Sequence, residues 1–165
     1  MSTSLQPQQE LIVSVPIARW ATATAPSILR TLLGSCVGVA LYDLTAKVGG
    51  LAHVLLSDSR GSADHPGKYA DTAIATLLVE METMLKGKRR SRILAKIAGG
   101  ANMFATSSLV SIGEQNIQAV ERILSGREIP ILARHVGGET GRRMTLDPKT
   151  GIVEIRIPGG GDVTI

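Results

Sequence analysis

Between residues 28 and 56 three apolar runs follow one another with hardly a gap, and this spacing limits the folds open to the chain. Ile28-Leu-Arg-Thr-Leu-Leu33 breaks at Gly34-Ser35-Cys36, and Val37-Gly-Val-Ala-Leu-Tyr-Asp43 begins at once. A turn over residues 43–47 leads into Val48-Gly-Gly-Leu-Ala-His-Val-Leu-Leu56. Short β-rich runs joined so tightly belong to one sheet or to two packed sheets. If the second and third runs pair as a hairpin, the start of one lies opposite the end of the other.

The rest of the chain adds helices. Over residues 70–86, Ile74, Leu77, Leu78, Met81 and Leu85 recur at helical spacing and form one apolar stripe, which Gly87 stops. A second helix begins at Ser111-Ile-Gly-Glu114, the spacing of a capping box. Ile117, Val120 and Leu124 form its buried stripe and Gly126 ends it. Residues 11–18 read as a strand that Pro16 confines to an edge or a bulge. Residues 22–27, around Pro26, read as a loop, as do the polar residues 57–67. A short strand is expected over 92–97, ending at Gly99-Gly100, whereas 101–110 favours no element. Further strands are expected over 129–136, 142–146 and 151–157, the last two joined by the turn Asp147-Pro-Lys-Thr-Gly151. Strands and helices mix without regular βαβ alternation. The expected class is therefore α+β or α/β, a mixed β-sheet sandwich with packed helices. One domain is expected over 11–165, after a flexible, Gln-rich tail over 1–10.

Aromatic residues make up only 2% of the chain, so Leu, Ile, Val, Ala and Met must fill the core. The net charge of +4 is mild. A nucleic-acid binder carries a denser load of Lys and Arg, and none is expected as a partner. The one compact basic run, Lys86-Gly-Lys-Arg-Arg-Ser-Arg92, reads first as a solvated turn at a helix end that suits cations. A docking patch for an acidic protein surface is the second reading. A single cysteine excludes an intramolecular disulfide and fits a reducing, cytoplasmic setting. The N-terminus lacks a basic segment followed by an apolar run, so no signal peptide is expected. No apolar stretch reaches roughly 18 residues, so no membrane insertion is expected.

Two residues invite chemistry. Gly34 permits a sharp turn, Ser35 is small, and Cys36 at the corner could direct its own N–H toward a developing oxyanion. A lone cysteine beside Val37 and Val39 is also an ordinary inert core residue. His53 lies in an apolar strand, where an imidazole must be hydrogen-bonded or functional. As a neutral base it could take the thiol proton, and a thiolate–imidazolium pair would lower the cysteine pKa. As a structural residue it would do neither, and periodicity leaves both readings open. Metals and cofactors are not expected: His53, His65 and His135 lie in separate segments without ligand spacing. His65 reads as a solvated loop residue and His135 as a strand residue with no evident partner. The glycine clusters at 137–138 and 159–161 precede no helix and read as turns rather than phosphate loops.

Several segments together resemble the chemoreceptor glutamine deamidase family, CheD. They are Thr31-Leu-Leu-Gly-Ser-Cys-Val-Gly-Val-Ala-Leu-Tyr-Asp43, Gly49-Gly-Leu-Ala-His-Val-Leu-Leu56, Tyr69-Ala-Asp-Thr-Ala-Ile74, Lys96-Ile-Ala-Gly-Gly-Ala-Asn-Met103, Ile112-Gly-Glu-Gln-Asn116 and Gly137-Gly-Glu-Thr-Gly-Arg142. They come in the family's order and cover most of the chain after residue 11. The resemblance implies an α/β sandwich with Cys36 as nucleophile, His53 as base, and support from Gly34 and Ser35. It also implies a threonine just upstream of the turn. Thr31 is that candidate, either orienting His53 or serving as a plain strand residue; in some members the threonine sits one place earlier, where this chain has Arg30.

The implied activity is deamidation of glutamine side chains to glutamate on the cytoplasmic domain of methyl-accepting chemoreceptors. The same thioester route could cleave a glutamate methyl ester. The implied alternative is a regulatory binding module for a CheC-type chemotaxis phosphatase. A weaker third reading is a hydrolase of small thioesters or amides.

Overall fold

The fold is a computed structural model that describes residues 10–62, 64–104 and 110–165. Among these residues ten strands form two five-stranded sheets. Sheet A contains β1 (Ile12–Ser14), β3 (Ile28–Leu33), β8 (Arg142–Leu146), β9 (Val153–Arg156) and β10 (Asp162–Thr164), side by side in that order. Sheet B runs β2 (Trp20–Thr24), β5 (Val48–Val54), β4 (Val37–Asp43), β6 (Leu94–Gly99) and β7 (Ile131–Val136). Both are mixed, because β1 runs parallel to β3 and β6 parallel to β7 while their other pairs are antiparallel. Helices α1 (Ala70–Leu85) and α2 (Ile112–Gly126) cover the outer face of sheet B. The layers are helices, sheet B, sheet A: the mixed sandwich with packed helices that the pattern predicted.

The central strands explain why their sequences do not alternate. Every residue of β4 and β5 is buried, since sheet B is covered on both faces. Val37, Val39, Leu41, Ala52 and Val54 face the helices; Ala40, Tyr42 and Leu51 face sheet A. Leu77 and Met81 of α1 are fully buried on this sheet, each worth roughly 2–3 kcal/mol of apolar transfer. Gly50 lets α1 come close, because a Cβ there would lie 2.6 Å from Leu77 Cδ1.

Polar ties fix the layers. The buried Asp43 carboxylate accepts from the amides of Thr45, Ala46 and Ser91 and from the Ser91 hydroxyl at 2.9–3.1 Å. It thereby pins the basic 86–92 run to the β4–β5 turn. Lys96 Nζ reaches from sheet B to the carbonyls of Gly151 and Ile165, at 2.8 and 2.9 Å.

Several elements differ from their predicted extents. The strand at 11–18 is only Ile12–Ser14, at the edge of sheet A as Pro16 required; the chain then crosses to sheet B, with Ala18 in the left-handed region. Half of the predicted loop at 22–27 is strand β2, and its second half, around Pro26, is a turn. Its Trp-Ala-Thr-Ala-Thr sequence forms a half-buried edge, which gives a weak apolar signal. Strand β10 follows the expected turn at 159–161. Ser111 accepts the Glu114 amide at 3.1 Å, as a capping box requires. Glu114 Oε1, however, accepts from Gln118 at 3.3 Å. Gly126 is the last residue of α2, but the left-handed residue beyond it is Glu128. Residues 1–9 of the predicted tail, and 105–109 of the unassigned stretch, lie outside the described residues.

Candidate active site

Strands β4 and β5 pair as the predicted hairpin, with Val37 opposite Val54 and Gly38 opposite His53. Cys36 stands just before Val37, at the turn from sheet A into sheet B. The alternation that sends Val37 and Val54 toward the helices sends Cys36 and His53 toward sheet A. Cys36 packs in the inter-sheet core, and His53 bonds Thr31 of β3. Both line one cleft of about 800 Å³ at the end of the sandwich, together with Thr31, Gly34 and Ser35. Cys36 is only 6% exposed, so the cleft is the route to its sulfur.

The turn that carries Cys36 is held by its carbonyls. Gly34 O accepts from Ala101 N at 3.0 Å and Cys36 O from Gly100 N at 2.8 Å. Ser35 O accepts from Asn116 Nδ2 at 3.2 Å. Among the described residues the amides of Ser35 and Cys36 donate to no backbone carbonyl. Acceptors fixed outward beside amides that no backbone carbonyl occupies are what an oxyanion site needs.

His53 is held at both backbone and ring. Its amide donates to Arg19 O at 2.9 Å, and its carbonyl accepts from Ala18 N at 3.1 Å. Nδ1 lies 2.7 Å from Thr31 Oγ1, which in turn lies 2.7 Å from Val15 O. A carbonyl can only accept, so the Thr31 proton goes to Val15, and all three groups are satisfied when Nδ1–H donates to Thr31. Nε2 then carries the lone pair of a base. Of the two roles open to Thr31, this contact supports positioning.

Burial pushes the Cys36 thiol up from its ordinary value, with its own backbone N–H pulling the other way. Burial also lowers His53 to about 4, opposed by a backbone hydrogen bond at Val15. Both shifts favour the neutral form, so of the states open to the two groups a neutral thiol beside a neutral imidazole is the one that burial favours.

Asn116 escaped the sequence reading. It is fully buried on α2, and its Nδ2 donates both to Ser35 O, at 3.2 Å, and to Leu55 O, at 2.9 Å. One amide thus spans the residue before Cys36 and the second residue after His53. Both partners are carbonyls, which fixes the amide orientation and leaves Oδ1 buried without a partner among the described residues. The signals for Asn116 were a polar residue within the apolar rows of an amphipathic helix and its place at the end of the family-like segment 112–116.

The other histidines lie elsewhere. His65 is exposed in its loop. His135, expected to lack a partner, has Arg142 Nη1 2.9 Å from its Nδ1. Among the described residues no three His, Cys, Asp or Glu side chains gather as metal ligands. Among the described residues no helix is long and apolar enough to cross a membrane. A second cleft of about 790 Å³ lies beside the basic run and contains neither cysteine nor histidine. Arg90, from that run, pairs with Glu82 at 2.7 Å.

Residues 55–157 match a family model described as CheD chemotactic sensory transduction. That match begins just after His53. A Thermotoga maritima protein named chemoreceptor glutamine deamidase CheD is 44% identical over 149 residues, 90% of this chain and 93% of its own. The chain belongs to the CheD family. The CheD of Halalkalibacterium halodurans, with the same name, is 42% identical over 93% of this chain and 98% of its own. A Clostridium botulinum relative named probable chemoreceptor glutamine deamidase CheD is 45% identical over 93% of this chain and 97% of its own.

Proposed function

We propose that this CheD protein is a cytoplasmic protein-glutamine glutaminase that converts glutamine to glutamate on the cytoplasmic domain of chemoreceptors. The observation that carries the chemistry is the shared cleft, with Cys36 and His53 on one face of sheet B and Thr31 bonded to the imidazole. The names of the relatives supply the substrate. His53 Nε2 takes the Cys36 proton as the sulfur attacks the carboxamide carbon. The Ser35 and Cys36 amides hold the tetrahedral oxyanion. Protonated His53 gives its proton to the departing nitrogen, which leaves as ammonia. Water then adds to the thioester with His53 as base, and collapse returns the thiol and a glutamate side chain. A glutamate methyl ester could enter by the same route and leave as methanol.

The cleft mouth suits a protein substrate. Leu32 and Phe104 at its rim are 71% and 76% exposed, with Ile17 and Met103 beside them. An apolar rim around a buried nucleophile fits a macromolecular surface better than a small amide. The CheC-type regulatory reading is less favoured, since a binding module has no need of the Thr31–His53 contact within a cleft that also holds a cysteine.

Incubation with a purified receptor cytoplasmic region should release ammonia and add about one dalton per converted glutamine, as replacement of an amide –NH2 by –OH requires. Cys36→Ala should abolish this while its far-ultraviolet circular dichroism stays unchanged. Ammonia release by Cys36→Ala at the wild-type rate would refute the assignment.

A further inference from the structure

The candidate catalytic cleft carries charge of one sign. Arg30 and Arg143 line it and no aspartate or glutamate does, although the chain has 14 acidic residues. On β3, Thr31 and Leu33 take the inner face, so Arg30 and Leu32 take the outer one. Arg143 lies directly across from Leu32, and Thr145 across from Arg30. Two arginines on neighbouring strands thus sit diagonal to each other and both next to the exposed Leu32, on the outer face of sheet A where the cleft opens.

Their neighbour shows what they lack. Arg156, opposite Arg143 on β9, is paired with Asp162 through two bonds of 2.9 Å. Arg143 makes no such pair among the described residues, and its Nε is buried without a hydrogen-bond partner. Arg30 donates its Nε to the Thr145 hydroxyl at 3.1 Å and also has no carboxylate partner. A buried cationic N–H without an acceptor is costly, and an incoming acceptor relieves that cost.

We propose that Arg143, with Arg30 beside it, forms a carboxylate subsite that receives an aspartate or glutamate side chain adjoining the target glutamine on the protein substrate. The inference rests on the deamidase reading above. Guanidinium and carboxylate pair in a planar, often two-bonded geometry, so the subsite would orient the substrate as well as attract it. Each turnover also makes a carboxylate from a neutral amide. Where glutamines adjoin, the product of one reaction becomes the recognition element for the next.

The test uses a receptor cytoplasmic fragment with one target glutamine, its neighbour set to Glu, Ala or Lys, and compares kcat/KM for ammonia release. Wild type should favour Glu over Ala by about tenfold, a margin that shrinks with added salt, and should use Lys least. Arg143→Gln should bring the Glu-to-Ala ratio close to one. Arg143→Glu should invert the order toward Lys, an outcome that general loss of fold cannot imitate. Equal use of all three fragments by wild type, or a Glu preference that survives Arg143→Gln, overturns the subsite while leaving the deamidase reading intact. No ammonia from any fragment with the full-length protein overturns the deamidase reading, and the subsite with it.

Discussion

The Thr31 hydroxyl has one hydrogen and two neighbours, and that scarcity sets the state of His53. With the proton committed to Val15 O, the imidazole must hold its own proton on Nδ1. Thr31→Val would remove the hydroxyl acceptor of that buried N–H, at about 1–3 kcal/mol. We expect kcat for ammonia release to fall about 10- to 100-fold in Thr31→Val and to remain largely intact in Thr31→Ser, as steady-state kinetics will show. An equal loss in both variants would mean that the methyl group matters and the hydroxyl does not. The residues of this relay were legible to different degrees. Cys36, His53 and Thr31 stood out because a turn, a polar residue in an apolar strand and a family resemblance converged on them. Val15 could not stand out, because it contributes a backbone carbonyl and its side chain is simply apolar. The sequence offered a neutral imidazole as base beside a structural histidine and could not rank them, since burial depends on layers that local sequence does not display.

At the scale of elements, the Gly34–Cys36 turn is shaped by segments distant in the chain. Gly100, Ala101 and Asn116 each hold one of its carbonyls. Asn116→Ala frees both Ser35 O and Leu55 O, so the corner and the base strand lose their common tie. We expect kcat to fall about tenfold with KM little changed, and the pH dependence of Cys36 alkylation by iodoacetamide to shift, consistent with loss of one or two hydrogen bonds. A lower melting temperature with an unchanged alkylation profile would make Asn116 a stability residue only. Long apolar runs and clean helical stripes gave β3, β4, β5, α1 and α2 in advance. Strands β2 and β10 did not announce themselves, because edge strands of small or polar residues are formed by their neighbours more than by their own pattern.

For the whole molecule, the neutral His53 couples folding to acidity. Its pKa of about 4 in the fold lies below the ordinary value of 6.5. As pH falls, the unfolded chain therefore binds a proton before the folded one does. The resulting stability is complete above about 6.5 and is lost as the pH drops through about 4. Calorimetry should show the melting temperature declining across that window, and His53→Gln should flatten part of the decline. The acid limb of kcat/KM should lie nearer 4 than 6.5, because the base stays unprotonated until then. An acid limb near 6.5 would place the ring in a far wetter setting than the sandwich provides.

Val15 and Thr31 belong to one slab of the sandwich, and His53 and the Cys36 corner are carried by the other. A slip between the slabs by a fraction of a residue spacing would unhook the imidazole while every strand kept its ladder. Turnover is thus a gauge of how the slabs are seated. A ligand, partner or temperature that shifts their seating would change the rate well before any spectroscopic sign of melting.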